Sequence, residues 1–294
     1  MSSTTVTSEP CEAGKCVACG SQGLATRWPG FASCRRCGHV AAAEAFGTVD
    51  VEAIYGESYF RGEEYGDYEL EREALEYNFR QRLASLGRAG ISLQGARLLD
   101  VGCAFGYFAK LAQDAGAIAK GIDVSVAAVE FARTKLGIDA ETTNIESLGG
   151  AEQFDVITMW DCIEHMQNPR SAIAAAHRLL RPGGWICFTT GDIGSLNARI
   201  RGRRWRMIHP PSHVHYFTGR SATLLLDSVG MGSVSVSHPG ITRSVASISS
   251  WILERRLGMR AVHRWIADGW LGRITFGLNL GDIMLVIARK SVVE

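Results

Sequence analysis

The sequence predicts an α/β protein: a doubly wound sheet of seven mostly parallel strands with helices on both faces, preceded by a small ribbon held by cysteines. Three observations carry this expectation. An apolar run, Leu98-Leu99-Asp100-Val101, ends in the turn Gly102-Cys103-Ala104-Phe105-Gly106, and a second apolar run ends about 17 residues later in Asp123. Strand-like and helix-like segments then alternate to residue 229, as a parallel sheet with crossover helices requires. Two Cys-x-x-Cys pairs, Cys16/Cys19 and Cys34/Cys37, stand ahead of all this with 14 residues between them.

The elements follow in order. Residues 1–14 are polar and read as a disordered tail without an apolar signal region, and no window reaches about 18 uninterrupted apolar residues, so a cytoplasmic protein without a transmembrane segment is expected. Residues 15–45 read as a zinc ribbon. Each Cys-x-x-Cys can present two thiolates from a tight knuckle followed by Gly20 or Gly38, and Cys16, Cys19, Cys34 and Cys37 complete the tetrahedral shell of a structural Zn²⁺. Cys11 and His39 are left over. Residues 46–90 read as a helical lead-in and cofactor lid, with a helix over 68–86 ended by Gly87.

Within 91–294, strands are expected at 97–101, 117–123, 154–160 and 185–190, and helices at 106–115, 125–136, 168–180 and 219–229. Ser125 is placed to cap its helix, and Pro182-Gly183-Gly184 to turn the chain into the fifth strand. The last two strands are expected at 233–237 and 282–288, separated by an amphipathic insert at 240–279. Its helices, 247–257 and 260–271, offer Trp251, Ile252, Trp265, Ile266 and Trp270 for burial. A lid, a homodimer interface or peripheral contact with an anionic membrane are its readings.

Composition excludes little. A net charge of +1 gives no global pull toward nucleic acid, and 46% hydrophobic residues describe an ordinary globular chain. Charge is unevenly spread: eleven acidic residues lie between Glu44 and Glu76, and five arginines between Arg199 and Arg206.

Spacing chooses the cofactor. A dinucleotide fingerprint needs G-x-G-x-x-G with the pyrophosphate on the helix N-terminus. Here Gly102 and Gly106 bracket Ala104, and Asp100 stands two residues before the first glycine. A carboxylate there repels a pyrophosphate but holds an ammonium, which favours S-adenosylmethionine (SAM) over NAD. The turn from Gly102 through Cys103 and Ala104 to Gly106 is expected to meet the methionine end, Asp123 the ribose hydroxyls, and Asn144-Ile145 the adenine.

After the fourth strand the chain reads Trp160-Asp161-Cys162-Ile163-Glu164-His165. A helical turn there would put Asp161, Glu164 and His165 on one face. Methyl transfer from a sulfonium needs alignment and proton removal, so His165 is the candidate base and Glu164 its orienting partner. The bland alternative is that these residues only fasten the loop. Farther on, His209, His213 and His215 have no carboxylate or cysteine among them, which argues against a second metal site. His213 and Tyr216 are expected to close over the acceptor from a loop after the fifth strand.

The succession of two Cys-x-x-Cys pairs, Tyr59-Phe60, Leu-Asp-Val-Gly-Cys-Ala-Phe-Gly, Phe-Asp-Val-Ile with Glu-His, Arg-Pro-Gly-Gly, and Trp before Pro-Pro-Ser-His-Val-His-Tyr-Phe resembles a bacterial zinc-ribbon class I SAM-dependent methyltransferase over nearly the whole chain. The resemblance implies a Rossmann-like class I fold and a cofactor contact from Tyr59 and Phe60, with Trp160 and Asp161 also at the cofactor. Its Glu-His and His-x-x-Tyr-Phe segments are similar to those of enzymes that methylate sugars, glycan components and small-molecule hydroxyls. The leading expectation is therefore O-methylation of a small-molecule, sugar or lipid-linked acceptor, with the arginines at 199–206 binding any phosphate it bears. An RNA methyltransferase and a SAM-retaining scaffold are the alternatives; the acidic segment after the ribbon opposes the first, the Asp161, Glu164, His165 grouping the second.

Overall fold

The computed structural model describes residues 14–47, 72–151, 153–249, 253 and 258–292. The expectations for the tail, for Cys11, for Tyr59 and Phe60 and for Trp251 and Ile252 lie outside the described residues.

The chain begins with three short antiparallel strands, β1 (Ala25–Trp28), β2 (Phe31–Ser33) and β3 (Val40–Ala42), and a 3-10 turn at Ala43–Phe46. After helix α1 (Arg72–Arg88) come β4 (Arg97–Val101), α2 (Tyr107–Asp114), β5 (Ile118–Asp123), α3 (Val126–Leu136) and β6 (Asp139–Thr142). The second half runs β7 (Phe154–Trp160), α4 (Pro169–Leu179), β8 (Leu180–Gly191), α5 (Leu196–Arg201), β9 (His215–Tyr216), α6 (Gly219–Asp227) and β10 (Met231–Ser237). An insert of β11 (Ile241–Ser244), α7 (Val245–Ser249), α8 (Arg260–Asp268) and β12 (Thr275–Leu278) precedes β13 (Ile283–Lys290).

The main sheet has the order β10-β13-β8-β7-β4-β5-β6. It is parallel except at β13, which runs antiparallel to β8 and β10. Strand order reverses between β4 and β7, so the crevice for a ligand opens beyond the carboxyl ends of these two strands. Both faces are buried because alternate residues feed two cores. Leu98, Val156, Cys187 and Leu285 pack with residues of α1, α2 and α3; Leu99, Ile157, Phe188 and Met284 pack with residues of α4 and α6.

Local chemistry sets the helix starts. Ser125 caps α3 by accepting from the Ala128 N–H, Asn168 caps α4 ahead of Pro169, and Thr218 and Ser221 form a reciprocal capping box on α6. The fifth strand is longer than predicted: β8 starts at Leu180 and carries Pro182-Gly183-Gly184 within it. A register shift between Phe154 and Val156, the Arg181–Asp155 ion pair and the bond from Arg289 Nε to the Gly183 carbonyl accommodate that stretch.

Two further features depart from the sequence reading. The insert is closed by an antiparallel β11–β12 ladder that its helical periodicity did not announce, and Trp265 and Trp270 are 70% and 75% exposed instead of buried. The ribbon is also joined to the larger unit, since β9 completes its sheet in the order β1-β2-β3-β9.

Candidate active site

The turn after β4 is shaped by three alternate left-handed positions, Gly102 (φ 68°), Ala104 (φ 47°) and Gly106 (φ 82°). A side chain at Gly102 would place its Cβ 2.5 Å from Cys162 Sγ, so glycine is required there for space as well as for φ. Ala104 takes the same backbone region with a Cβ, so its departure from glycine carries a backbone cost of order 1 kcal/mol. Cys103 fills the space above Gly121, whose missing Cβ would lie 2.7 Å from the thiol sulfur.

Asp123 ties this turn to β5. Its carboxylate accepts the Ala104 and Ser125 N–H groups, each at 2.9 Å. Burial raises its pKa, and backbone N–H groups of Ser125, Ala104 and Val124 oppose the shift. Asp100 is buried and accepts from Thr158 Oγ1 at 2.7 Å. Burial pushes its carboxyl up to about 7, against the Thr158 hydrogen bond and the Arg82 charge. Asn144 accepts the Ser147 N–H through Oδ1, while its buried Nδ2 has no protein partner; Ile145 beside it belongs to the core.

Trp160, at the end of β7, stands edge to face against Phe108 at 5.0 Å, under the Arg82 guanidinium at 5.1 Å, with its buried Nε1 unpartnered. Asp161 follows in a left-handed conformation (φ 49°), bonded to Thr189 and to Arg82 at 2.6 Å. A 3-10 turn at Ile163–His165 then separates the trio that helical spacing expected on one face. Asp161 goes to Arg82, Glu164 goes inside, and His165 stays partly exposed.

Glu164 is 1% exposed and neither carboxyl oxygen has a hydrogen-bond partner. Burial pushes it up to about 8, and the Asp161 charge adds to that. The His165 Nδ1 lies 2.9 Å from the Ser212 carbonyl, which can only accept, so Nδ1 carries the proton and Nε2 the lone pair of the neutral ring. The same argument holds for His213, whose Nδ1 donates to the Met207 carbonyl at 3.0 Å. Burial, with His165 and His209 nearby, keeps the His213 pKa well below the ordinary value. The rings of His165 and His213 meet edge to face at 4.4 Å, and His209 packs on His213 at 3.7 Å.

The three histidines after Trp205 are thus divided. His215 points away, bonded to His39 at 3.1 Å, while the carboxylate missing from their own segment is supplied by Glu164. Glu164, His165 and His213 offer ligand atoms within 4.8 Å of one another, a set that could hold a divalent cation. Tyr216 does not reach this cluster with its hydroxyl, which donates to the His213 carbonyl at 2.6 Å.

A family model described as a methyltransferase domain matches residues 71–236, more than half of the chain. The chain belongs to the methyltransferase domain family. Among curated relatives of this methyltransferase, the ubiquinone biosynthesis O-methyltransferase of Thiobacillus denitrificans is 39% identical over 105 residues, 33% of this chain and 45% of that protein. That of Pasteurella multocida is 36% identical over 125 residues, 37% and 52% of the two chains. The chain spans about half the length of the curated relatives it matches. Among solved structures, magnesium protoporphyrin IX methyltransferase from Synechocystis PCC 6803, with S-adenosylhomocysteine (SAH) bound, aligns with a TM-score of 0.55 over 82% of this chain and 98% of its own. At 15% identity that likeness is one of fold. The chain therefore carries a SAM-dependent methyltransferase domain, and the turn from Asp100 to Gly106 with Asp123 lies inside the matched residues.

Sequence reasoning missed three residues of this methyltransferase that hold the site: Arg82, Thr158 and Gln167. Arg82 sits among other charges on α1, Thr158 lies in a mostly apolar strand, and Gln167 stands beside Asn168 in a loop. None belongs to a pattern, because each acts through a partner distant in sequence.

At the ribbon, Cys16 and Cys37 Sγ are 3.6 Å apart, as are Cys19 and Cys34. Four sulfurs around one Zn²⁺ at about 2.3 Å would be spaced by nearly this distance. Gly20 and Gly38 close the two knuckles by donating to the Cys16 and Cys34 carbonyls.

Proposed function

We propose that this methyltransferase moves the methyl group of SAM to a hydroxyl of a small metabolite, with His165 as general base. The observation that carries this reading is the pairing of the two halves across the β4–β7 switch. The donor turn closes against Cys162, and two residues later Glu164 and His165 begin a wall completed by His213. SAM supplies an activated methyl group, so the protein has to hold the acceptor oxygen in line and take its proton. His165 Nε2 is the lone-pair nitrogen for that proton, and the Ser212 carbonyl orients the ring. His213, held neutral, packs against the base, and Tyr216 positions His213 through its backbone.

The names of the curated relatives support oxygen as the acceptor atom. A sugar or lipid-linked acceptor remains within the proposal. Arg206 is committed to Asp282, so phosphate recognition falls to the exposed Arg199, Arg201, Arg203 and Arg204. We also assign a structural Zn²⁺ to the four cysteines on the sulfur spacing. A second reading of the acceptor wall rests on the two unpartnered oxygens of Glu164: with His165 and His213 they would hold a divalent cation that polarises the acceptor oxygen.

The test is SAH formation from SAM with hydroxyl-bearing ubiquinone precursors, nucleotide sugars and lipid-linked glycans, with and without added divalent ions. His165→Ala is expected to lower kcat on the accepted substrate by about 100-fold or more while retaining SAH affinity. Full turnover in that variant would remove His165 as the base. Turnover abolished by chelation and restored by Mg²⁺, Mn²⁺ or Zn²⁺ would favour the cation reading.

A further inference from the structure

The acceptor wall consists of two short segments, 163–167 and 212–216, and both are fastened to the ribbon. Gln167 Nε2 lies within 2.7–3.0 Å of the carbonyls of Glu44, Ala45 and Gly47, in and just after the 3-10 turn that follows β3. Strand β9 pairs with β3 through Val40–Tyr216 and Ala41–His215, and the Ala42 N–H donates to the Val214 carbonyl. Between these two attachments runs a chain of buried imidazoles. His215 Nε2 faces the Gln167 carbonyl at 3.3 Å and must carry its proton there, so His215 Nδ1 accepts from His39 Nε2. His39 stands two residues after the last cysteine, and Thr218 Oγ1 donates to the Cys37 carbonyl. The donor turn is held differently, by Ile122, Asp123 and the space at Cys162.

We infer that the cysteine ribbon positions the acceptor half of the site and leaves the donor half to the main sheet, with Gln167 and the His39–His215 pair as the positioning residues. The inference rests on reading Glu164, His165 and His213 as the acceptor wall. The Val214 N–H donates to the Glu164 carbonyl, so the two wall segments are also bonded to each other. Releasing either from the ribbon alters the spacing of His165 and His213 without touching Asp100 or Asp123.

The full-length chain is compared zinc-loaded, chelator-stripped and as zinc-loaded Gln167→Leu, by amide hydrogen exchange, SAH titration calorimetry and histidine ring resonances. None of these uses an acceptor, so their outcome is independent of the turnover assay above. Stripping zinc is expected to speed exchange over 163–168 and 212–217 by about tenfold or more, with SAH affinity within about twofold and protection over 98–106 unchanged. Gln167→Leu is expected to loosen the same two segments and shift the His165 and His213 resonances while the knuckles at 16–20 and 34–38 stay protected. Loss of SAH affinity on stripping, or unchanged exchange at 212–217, would overturn the inference.

Discussion

Arg82 of α1 and Asp161 beyond β7 form an ion pair at 2.6 Å, with the guanidinium lying over both Trp160 and Phe79. The pair fastens the helix that precedes the sheet to the end of β7, just ahead of the 3-10 turn at Ile163–His165. It also holds Asp161 in its left-handed conformation, a state that costs of order 1–2 kcal/mol without support.

Arg82→Ala should therefore act twice. The partly exposed pair itself contributes little, about 1 kcal/mol, but the lost stacking on Trp160 and the freed Asp161 should bring the destabilisation to about 2 kcal/mol and weaken SAH binding severalfold. Thermal unfolding with and without SAH measures both. A variant with unchanged Tm and SAH affinity would mean that the ion pair has no part in the site.

The donor turn yields a contrast between neighbours. Gly102→Ala drives a Cβ into Cys162 at a left-handed position and is expected to destabilise by about 2–3 kcal/mol and abolish SAH binding. Ala104→Gly relieves strain but frees the unfolded chain, two effects of about 1 kcal/mol each, so its net change should stay within about 0.5 kcal/mol. Denaturant titrations of both variants check the pair.

With Asp100 as the proposed partner of the SAM ammonium, SAM binding should depend on pH. Its carboxyl, pushed up to about 7, must ionise to hold an ammonium, so affinity should rise with pH through the region below 7 and level off above it. Binding near pH 6.5 should release a proton, visible as a dependence of the calorimetric enthalpy on buffer ionisation heat. Asp100→Asn should abolish that dependence and lower affinity by tenfold or more, on the order of one charge-assisted hydrogen bond. A pH-independent affinity would remove Asp100 as the ammonium partner.

Glu164 has the opposite consequence for stability. Its folded value, about 8, lies above the ordinary 4.5, so the unfolded chain gives up this proton first and stability falls as pH rises from about 4.5 to 8. Glu164→Gln removes that slope and should stabilise the ligand-free protein at pH 8 by about 1–3 kcal/mol. Denaturation at pH 5 and pH 8 separates the cases: equal gains at both would show that the carboxyl is not the cause.

Much of the geometry of the proposed donor half was legible because it is written locally. The Asp100–Gly106 turn, Asp123 and the Ser125 cap lie in or beside one βαβ unit, where backbone geometry dictates residue type. The geometry of the proposed acceptor wall was only half legible. Glu164, His165 and His213 could be picked out by their chemistry, but the 3-10 turn that buries Glu164 and turns Asp161 toward Arg82 follows from contacts about 80 residues away. The same holds for β9, a two-residue strand that no periodicity can announce and that exists because β3 lies beside it. The exposed Trp265 and Trp270 show the limit of amphipathic patterning, which finds an apolar face without saying what covers it.

That shared ladder between β3 and β9 separates ancestry from autonomy. The family match begins at residue 71, after the ribbon, yet a chain cut there would carry His215 and Tyr216 as an edge with nothing to pair against and Gln167 with no carbonyls to meet. On the inference drawn above, the methyltransferase unit of this protein would not assemble its proposed acceptor wall without the ribbon.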